Sequence, residues 1–181
     1  MKDLLKEKYR QLKVGDKSLY LMVCIDKYDD DILLDKIASA ISGGVDIIEL
    51  SSLNSAARLL ALSKKVKILC QEFDVTLILK DRIDVAFLME ADGVSLDSNS
   101  LDLNSVRQIL GDNILIGSYS DVNDDYDFLI RELPETCTNI PVFSIYNANL
   151  SDFRKIAVSD AVMDSESPQN AADKFKKLLN L

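Results

Sequence analysis

The stretch Thr76–Leu96, TLILKDRIDVAFLMEADGVSL, constrains the fold more than any other part of the chain. Thr76 to Leu79 reads as an apolar strand of the kind that a parallel sheet covers on both faces. Lys80, Asp81 and Arg82 interrupt it. Val85, Ala86, Leu88 and Met89 then make the broad apolar face of a short helix, and Asp92-Gly93 turns the chain into a second strand, Val94 to Leu96. Strand, helix and strand together form a βαβ module. In such modules chemistry collects at the carboxyl ends of the strands, which singles out Asp81, Ser95 and Asp97.

The rest of the chain repeats this unit. Lys2 to Leu12 has the pattern of an amphipathic helix ended by Gly15-Asp16, so residues 1–18 form an amino-terminal helix and lead-in. Further strands are expected at Leu19–Ile25, Asp46–Leu50, Ile114–Gly117, Pro141–Tyr146 and Asp160–Met163. Helices are expected at Ile32–Ile41, Ser55–Phe73, Asn104–Leu110, Leu150–Ile156 and Pro168–Leu179. Val122, Tyr126, Leu129, Ile130 and Leu133 fall at helical spacing, which favours a helix over Asn123–Leu133; a strand at Tyr126–Ile130 is the alternative. Seven strands alternating with helices argue for a parallel α/β architecture. A TIM-barrel-like (β/α) barrel is favoured over an open sheet because no glycine-rich nucleotide loop follows the first strand. No linker or change of composition divides the chain, so 1–181 is read as one domain.

Composition narrows function mostly by exclusion. The 181 residues are 48% hydrophobic, enough for a substantial core, and carry a net charge of −9, which makes nucleic acid and anionic membrane poor partners. No histidine is present, so Ser-His-Asp and Cys-His nucleophiles, histidine metal sites and histidine acid–base catalysis are all ruled out. Cys24, Cys70 and Cys137 are odd in number and lack metal-site spacing, which fits reduced thiols. No apolar run reaches the roughly 18 residues of a spanning helix, and the charged start is unlike a signal peptide. A cytoplasmic protein is expected. Asp29, Asp30 and Asp31 precede a helix, where they complement its macrodipole rather than build a cation loop.

Four segments carry a family resemblance: SGGVDIIEL at 42–50, KDRIDVA at 80–86, ADGVSL at 91–96 and Ile116-Gly117. In wording and spacing they resemble the thiamine phosphate synthase and TenI family, clearly from Leu19 to about Gly117 and only faintly beyond. The resemblance implies a (β/α)8 barrel. It also implies either a magnesium-dependent coupling of hydroxymethylpyrimidine diphosphate to thiazole phosphate, or, in TenI members, aromatisation of the thiazole by proton transfer.

Followed residue by residue, most of the implied site is changed. Where the resemblance implies Gln-Leu-Arg and a later lysine, this chain has Glu49, Leu50, Ser51 and Leu53. Asp81 stands at the first metal aspartate, within Lys80-Asp81-Arg82. Ser95 replaces a histidine, Ser98 a glutamine and Ser100 the second metal aspartate, with Asp97 or Asp102 as a substitute. Asp121 replaces the TenI histidine. Ser144, Ile145, Tyr146 and Asn147 stand where a glycine-rich phosphate turn is implied. The interval from Gly117 to Pro141 is too short for the family's sixth strand and two full helices, so the barrel is expected to be shortened to about seven βα units, with one unit lost or collapsed.

Each retained group has an ordinary reading as well. Asp81 is a metal ligand, or a helix cap or the partner of Arg82; Lys80 is a base or a solvated cation; Glu49, Asp97 and Asp121 are an acidic mouth or surface charge. Two function classes follow. One is a degenerate thiamine phosphate synthase-like transferase with magnesium as its implied cofactor and a small phosphate ligand. The other is a non-catalytic barrel that binds a partner or regulatory ligand. Asp81, Ser95 and Glu49 are expected together at one rim, and strand edges or apolar helix faces left imperfectly covered beside the missing unit suggest a homodimer.

Overall fold

The computed structural model describes residues 2–121, 125–132, 139–146 and 154–179. Eight parallel strands form a closed barrel in sequence order. They are β1 (Leu19–Cys24), β2 (Ile47–Ser51), β3 (Thr76–Lys80), β4 (Gly93–Leu96), β5 (Leu115–Ser118), β6 (Phe128–Arg131), β7 (Val142–Ile145) and β8 (Ile156–Val158). β1 pairs with β2 on one side and β8 on the other, with Tyr20 opposite Ile47 and Ala157. The α-helices of the described residues are α1 (Lys2–Arg10), α2 (Asp30–Ser42), α3 (Ala56–Glu72), α4 (Ile83–Met89), α5 (Leu103–Leu110), α6 (Asp160–Met163) and α7 (Pro168–Leu179).

Side chains alternate across each strand, so every strand feeds two cores. The outer one lies between sheet and helices and joins Leu21, Val23, Ile48, Leu50, Leu77, Leu79, Val94 and Ile116 to Leu33, Ile37, Leu59, Leu62 and Val66. Barrel-filling residues make the inner one: Tyr20, Ile47, Ile78, Leu115, Phe128, Ile130, Phe143 and Ala157. Val14, from a π-helical turn at Gln11–Gly15 that follows α1, belongs to this inner cluster and plugs the amino end of the barrel. Thr76 Oγ donates to Lys13 O at 2.7 Å, and the Lys155 ammonium donates to the carbonyls of Val14, Gly15 and Lys17, so the plug is held by hydrogen bonds as well as packing.

One device recurs at that end. An aspartate stands just before each of β2, β4 and β6, and its carboxylate accepts N–H groups from the preceding strand. Asp46 takes Ser18 N and Leu19 N at 2.9 Å, Asp92 takes Leu77 N at 2.9 Å and Asp127 takes Ile116 N at 2.8 Å. Each is matched by a cation from a flanking segment: Lys176 for Asp46, Lys13 for Asp92, and Arg10 with Arg107 for Asp127. Backbone donors at strand starts are thereby satisfied, as buried polar groups require.

The strand count differs from the sequence expectation. Residues 125–132 of the expected helix form a turn and β6, because Phe128 and Ile130 fill the barrel while Leu129 faces the outer core, a pattern only a strand satisfies. Residues 122–124 and 133 lie outside the described residues. The expected strand Asp160–Met163 is helix α6, and the eighth strand falls earlier, at Ile156–Val158. Most of the expected helix Leu150–Ile156 lies outside the described residues, and its last residue opens β8. The barrel is therefore shortened without losing a strand: among the described residues no helix stands between β5 and β8. Closure leaves no free strand edge, so of the two grounds for self-association only exposed apolar helix faces apply. Cys24 and Cys70 are free thiols, Cys137 lies outside the described residues, and among those residues no helix is long and apolar enough to cross a membrane.

Candidate functional site

The inward positions change character toward the carboxyl end. Below are Ile47 and Ile78; two residues further along the same strands stand Glu49 and Lys80, and on β4 Ser95 follows Gly93. Glu49 is only 2% exposed and Ser95 is fully buried. The carboxylate is nevertheless well provided: Tyr20 Oη donates to Oε2 at 2.8 Å, Ser95 Oγ to the same oxygen at 2.5 Å, and Tyr119 Oη to Oε1 at 2.8 Å. Tyr119 follows β5 and its ring carries the Lys80 ammonium 4.2 Å from its centroid. Its hydroxyl also touches Met22 Sδ at 3.3 Å. Arg131 Nη1 donates to the carbonyls of Tyr119 and Ser120, fixing the loop that presents Tyr119.

Burial dominates the electrostatics. It pushes Glu49 above the usual carboxylate range, against the opposing pull of the hydroxyls of Ser95, Tyr20 and Tyr119 and the charge on Lys80. Burial, followed by the Glu49 charge, pushes both tyrosines well up, so they remain phenols and donors. A carboxyl whose pKa is raised on folding binds its proton more readily in the folded state. Stability should therefore fall as pH rises from the ordinary glutamate value to the folded one. Asp46 acts in the opposite sense: burial would raise it, but Lys176 and the N–H groups of Leu19 and Ser18 hold it low, so its contribution is lost on acidification. Urea unfolding across pH 4–8 should thus show Glu49→Gln gaining stability relative to the parent as pH rises, Asp46 cancelling between the two. A flat difference would mean that Glu49 is not held above its unfolded pKa.

The residues singled out from sequence separate into groups. Glu49, Ser95 and Lys80 come together inside the barrel, below the rim. Asp81 is adjacent, its N–H donating to Ser95 O at 2.9 Å, but its carboxylate turns to the loop after β4. There Oδ1 accepts Asp97 N at 3.1 Å and the hydroxyl of Ser100. Asp81 neither caps α4 nor pairs with Arg82, which is held by Asp84. Its carboxylate, with Asp84, Asp97 and Ser100, lines an open depression of about 610 Å³. Ser51 Oγ reaches only Val23 O at 3.4 Å, Leu53 projects into solvent, and Ser98 is exposed on a turn. Asp121 is also exposed and bound to Ser118 and Tyr126, on the outer side of the barrel. Sequence reading missed Tyr20, Tyr119 and Arg131. The first two could have been found from the alternation, since Tyr20 and Tyr119 share the inward faces of β1 and β5 with Met22 and Gly117.

Magnesium favours one or two carboxylates together with phosphate oxygens and waters. Among the described residues no group of three acidic, cysteine or histidine side chains could hold a metal. The partner expected for Asp81 is the Ser100 hydroxyl, which donates to it, so the two-aspartate arrangement implied for magnesium is not made. Asp97 lines the same depression as Asp81, but with Ser100 at the second position these residues do not make the two-aspartate site that the resemblance implies.

A family profile described as thiamine monophosphate synthase matches residues 19–157. The thiamine-phosphate synthase of Campylobacter jejuni (serotype O:23/36, strain 81-176) is 36% identical over 103 residues, covering 56% of this chain and 49% of that one. That of Haloarcula marismortui is 42% identical over 90 residues, covering 49% and 43%. That of Clostridium perfringens (strain 13) is 26% identical over 186 residues, covering 82% and 88%. The chain thus matches about half the length of the first two relatives and most of the third. In fold it is similar to thiamine phosphate pyrophosphorylase from Pyrococcus furiosus, with a TM-score of 0.78 over 94% of this chain and 97% of that one at 21% identity. Since the matched profile runs from the first residue of β1 into β8, the whole barrel is accounted for, and the chain belongs to the thiamine monophosphate synthase family.

Proposed function

We propose that this chain is a degenerate member of its family, one that keeps the barrel but does not couple hydroxymethylpyrimidine diphosphate to thiazole phosphate at an appreciable rate. The observation that carries this reading is Glu49. It is a buried carboxylate at the barrel's carboxyl end, with three hydroxyls donating to it and the Lys80 charge nearby. A departing diphosphate needs cations and preorganised donors, and this is usually the largest catalytic term. Lys80 lies against Tyr119, Arg82 is paired with Asp84, and Arg58 is spent on Asp30 and the carbonyls of Ile25 and Tyr28. Arg82 and Arg58 are thus held by carboxylates, and Lys80 alone does not replace both the missing arginine and the missing lysine. Glu49 adds repulsion toward a polyanion.

Losing a single stabilising donor can cost about 10²-fold or more in rate. With both substrates and magnesium, turnover should lie at least about 10²-fold below that of the Clostridium perfringens synthase measured in parallel, and Asp81→Ala should change it little. Robust turnover that depends on Asp81 would refute the proposal. Saturable binding of either substrate without turnover would place the chain among non-catalytic, ligand-binding or regulatory barrels.

A further inference from the structure

We infer that α1 docks on the groove between α4 and α5 of a second copy of this chain, forming a two-fold dimer through the amino ends of the two barrels. The helix has two unlike faces. Tyr9 and Arg10 hold it to its own barrel through Asp92 and Asp127, whereas Leu4, Leu5 and, in the following turn, Leu12 are all more than half exposed. Leu5 and Leu12 are seven residues apart, the spacing of anchors on a helix that lies in a groove. Lys6 and Lys8 flank these leucines and make no ion pair with any described residue.

A receptor of matching character lies at the same end of the molecule. Phe87 and Leu88 of α4, both more than half exposed, join Leu110 and Ile114 in a groove of about 450 Å³. Glu90 lies on its wall, and exposed Asp112 immediately precedes Asn113 of the lining; neither carboxylate is in an ion pair among the described residues. The groove thus offers apolar surface edged by carboxylates, and the helix offers leucines edged by ammonium groups. Charge along the chain supports a second copy as the occupant. The segment Lys2–Lys13 carries five basic and two acidic side chains, against 16 and 28 over the remainder. A basic helix on an otherwise acidic protein finds its complement on another copy, while the acidic body repels an anionic membrane. Within one protomer Tyr9 reaches Asp92, the residue after groove-lining Ala91, so helix and groove are neighbours. Two copies can therefore each lay the exposed face of α1 in the other's groove and close the assembly, as a two-fold interface requires.

Light scattering of the full chain at micromolar concentration should give the mass of a dimer. Leu5→Glu and Leu88→Glu should each give a monomer with unchanged circular dichroism. Lys8→Glu and Glu90→Lys, both at exposed positions that leave the core untouched, should each weaken the dimer on the order of fivefold, and their combination should restore it. A monomer throughout would overturn the inference, as would a dimer indifferent to these changes or a double reversal that restores nothing. So would a monomer that sediments with phosphatidylglycerol vesicles through α1, since the helix would then serve a membrane.

Discussion

Asp127→Ala is expected to destabilise the protein by about 3–5 kcal/mol, the usual cost of removing one member of a buried ion pair. Asp127 is 1% exposed and its two oxygens are fully used. Oδ1 faces the Arg10 guanidinium at 2.9 Å, while Oδ2 takes Arg107 at 2.5 Å and Ile116 N at 2.8 Å. Truncation leaves Arg107 without its carboxylate, Arg10 with only the exposed Glu7, and a strand N–H without its acceptor. It also removes one of the two side-chain tethers of α1, leaving Tyr9 on Asp92. Since domains of this size are stable by only about 5–15 kcal/mol, the urea midpoint should move far down. Arg10→Met should cost much less, because Arg107 would still neutralise the carboxylate. A loss below about 1 kcal/mol for Asp127→Ala would show that the cluster is not a closed, desolvated unit.

The second large effect concerns the filling of the barrel. Phe128 is fully buried and packs against Tyr20 at 6.1 Å and Phe143 at 6.3 Å between ring centroids, the latter edge-to-face. Phe128→Ala should cost about 3–5 kcal/mol through lost transfer energy and the cavity left behind. Gly117 explains why the ring fits. A Cβ built there would lie 2.2 Å from the Phe128 ring, so the glycine is required by close approach. Gly117→Ala should therefore destabilise by at least about 1–3 kcal/mol. Combined with Phe128→Leu, which withdraws the ring, the pair should be less costly than the sum of the two changes, as contacting residues are not additive. Thermal or urea unfolding of the four proteins checks this, and strict additivity would mean that the two side chains are not in competition for one space.

Most of the first five strands were legible because each is a short apolar run bounded by a clear stop. Thr76–Lys80 is closed by a charged triplet, and Gly43-Gly44 separates α2 from β2. β6 was not, because Tyr126, Leu129 and Ile130 fit a helical stripe as well as a strand, and four apolar residues are too few for periodicity to choose. A better signal was the aspartate. Val45-Asp46-Ile47, Ala91-Asp92-Gly93 and Tyr126-Asp127-Phe128 place the same acid at the start of successive even strands, and only in the barrel does each reach the neighbouring strand's N–H. β8 was misplaced for a related reason: Ile156–Val158 and Ala161–Met163 are both short apolar runs, and pairing with β1 and β7 decides which is the strand.

The candidate site divides in the same way. Sequence alone determined which residues are available: no histidine, Glu49, Ser51 and Leu53 after the second strand, and one aspartate at Lys80-Asp81-Arg82. Only the tertiary structure decided what they do, because hydrogen bonds across a barrel join residues far apart in the chain. Closure brings Tyr20, Ser95 and Tyr119 onto Glu49 and lays Lys80 on the Tyr119 ring, making one buried network from five strands or their ends. The same closure turns Asp81 toward Ser100 and Asp97, away from that network. A strand's alternation states which residues face inward; which of them meet depends on the register of eight strands, and no local stretch of sequence contains it.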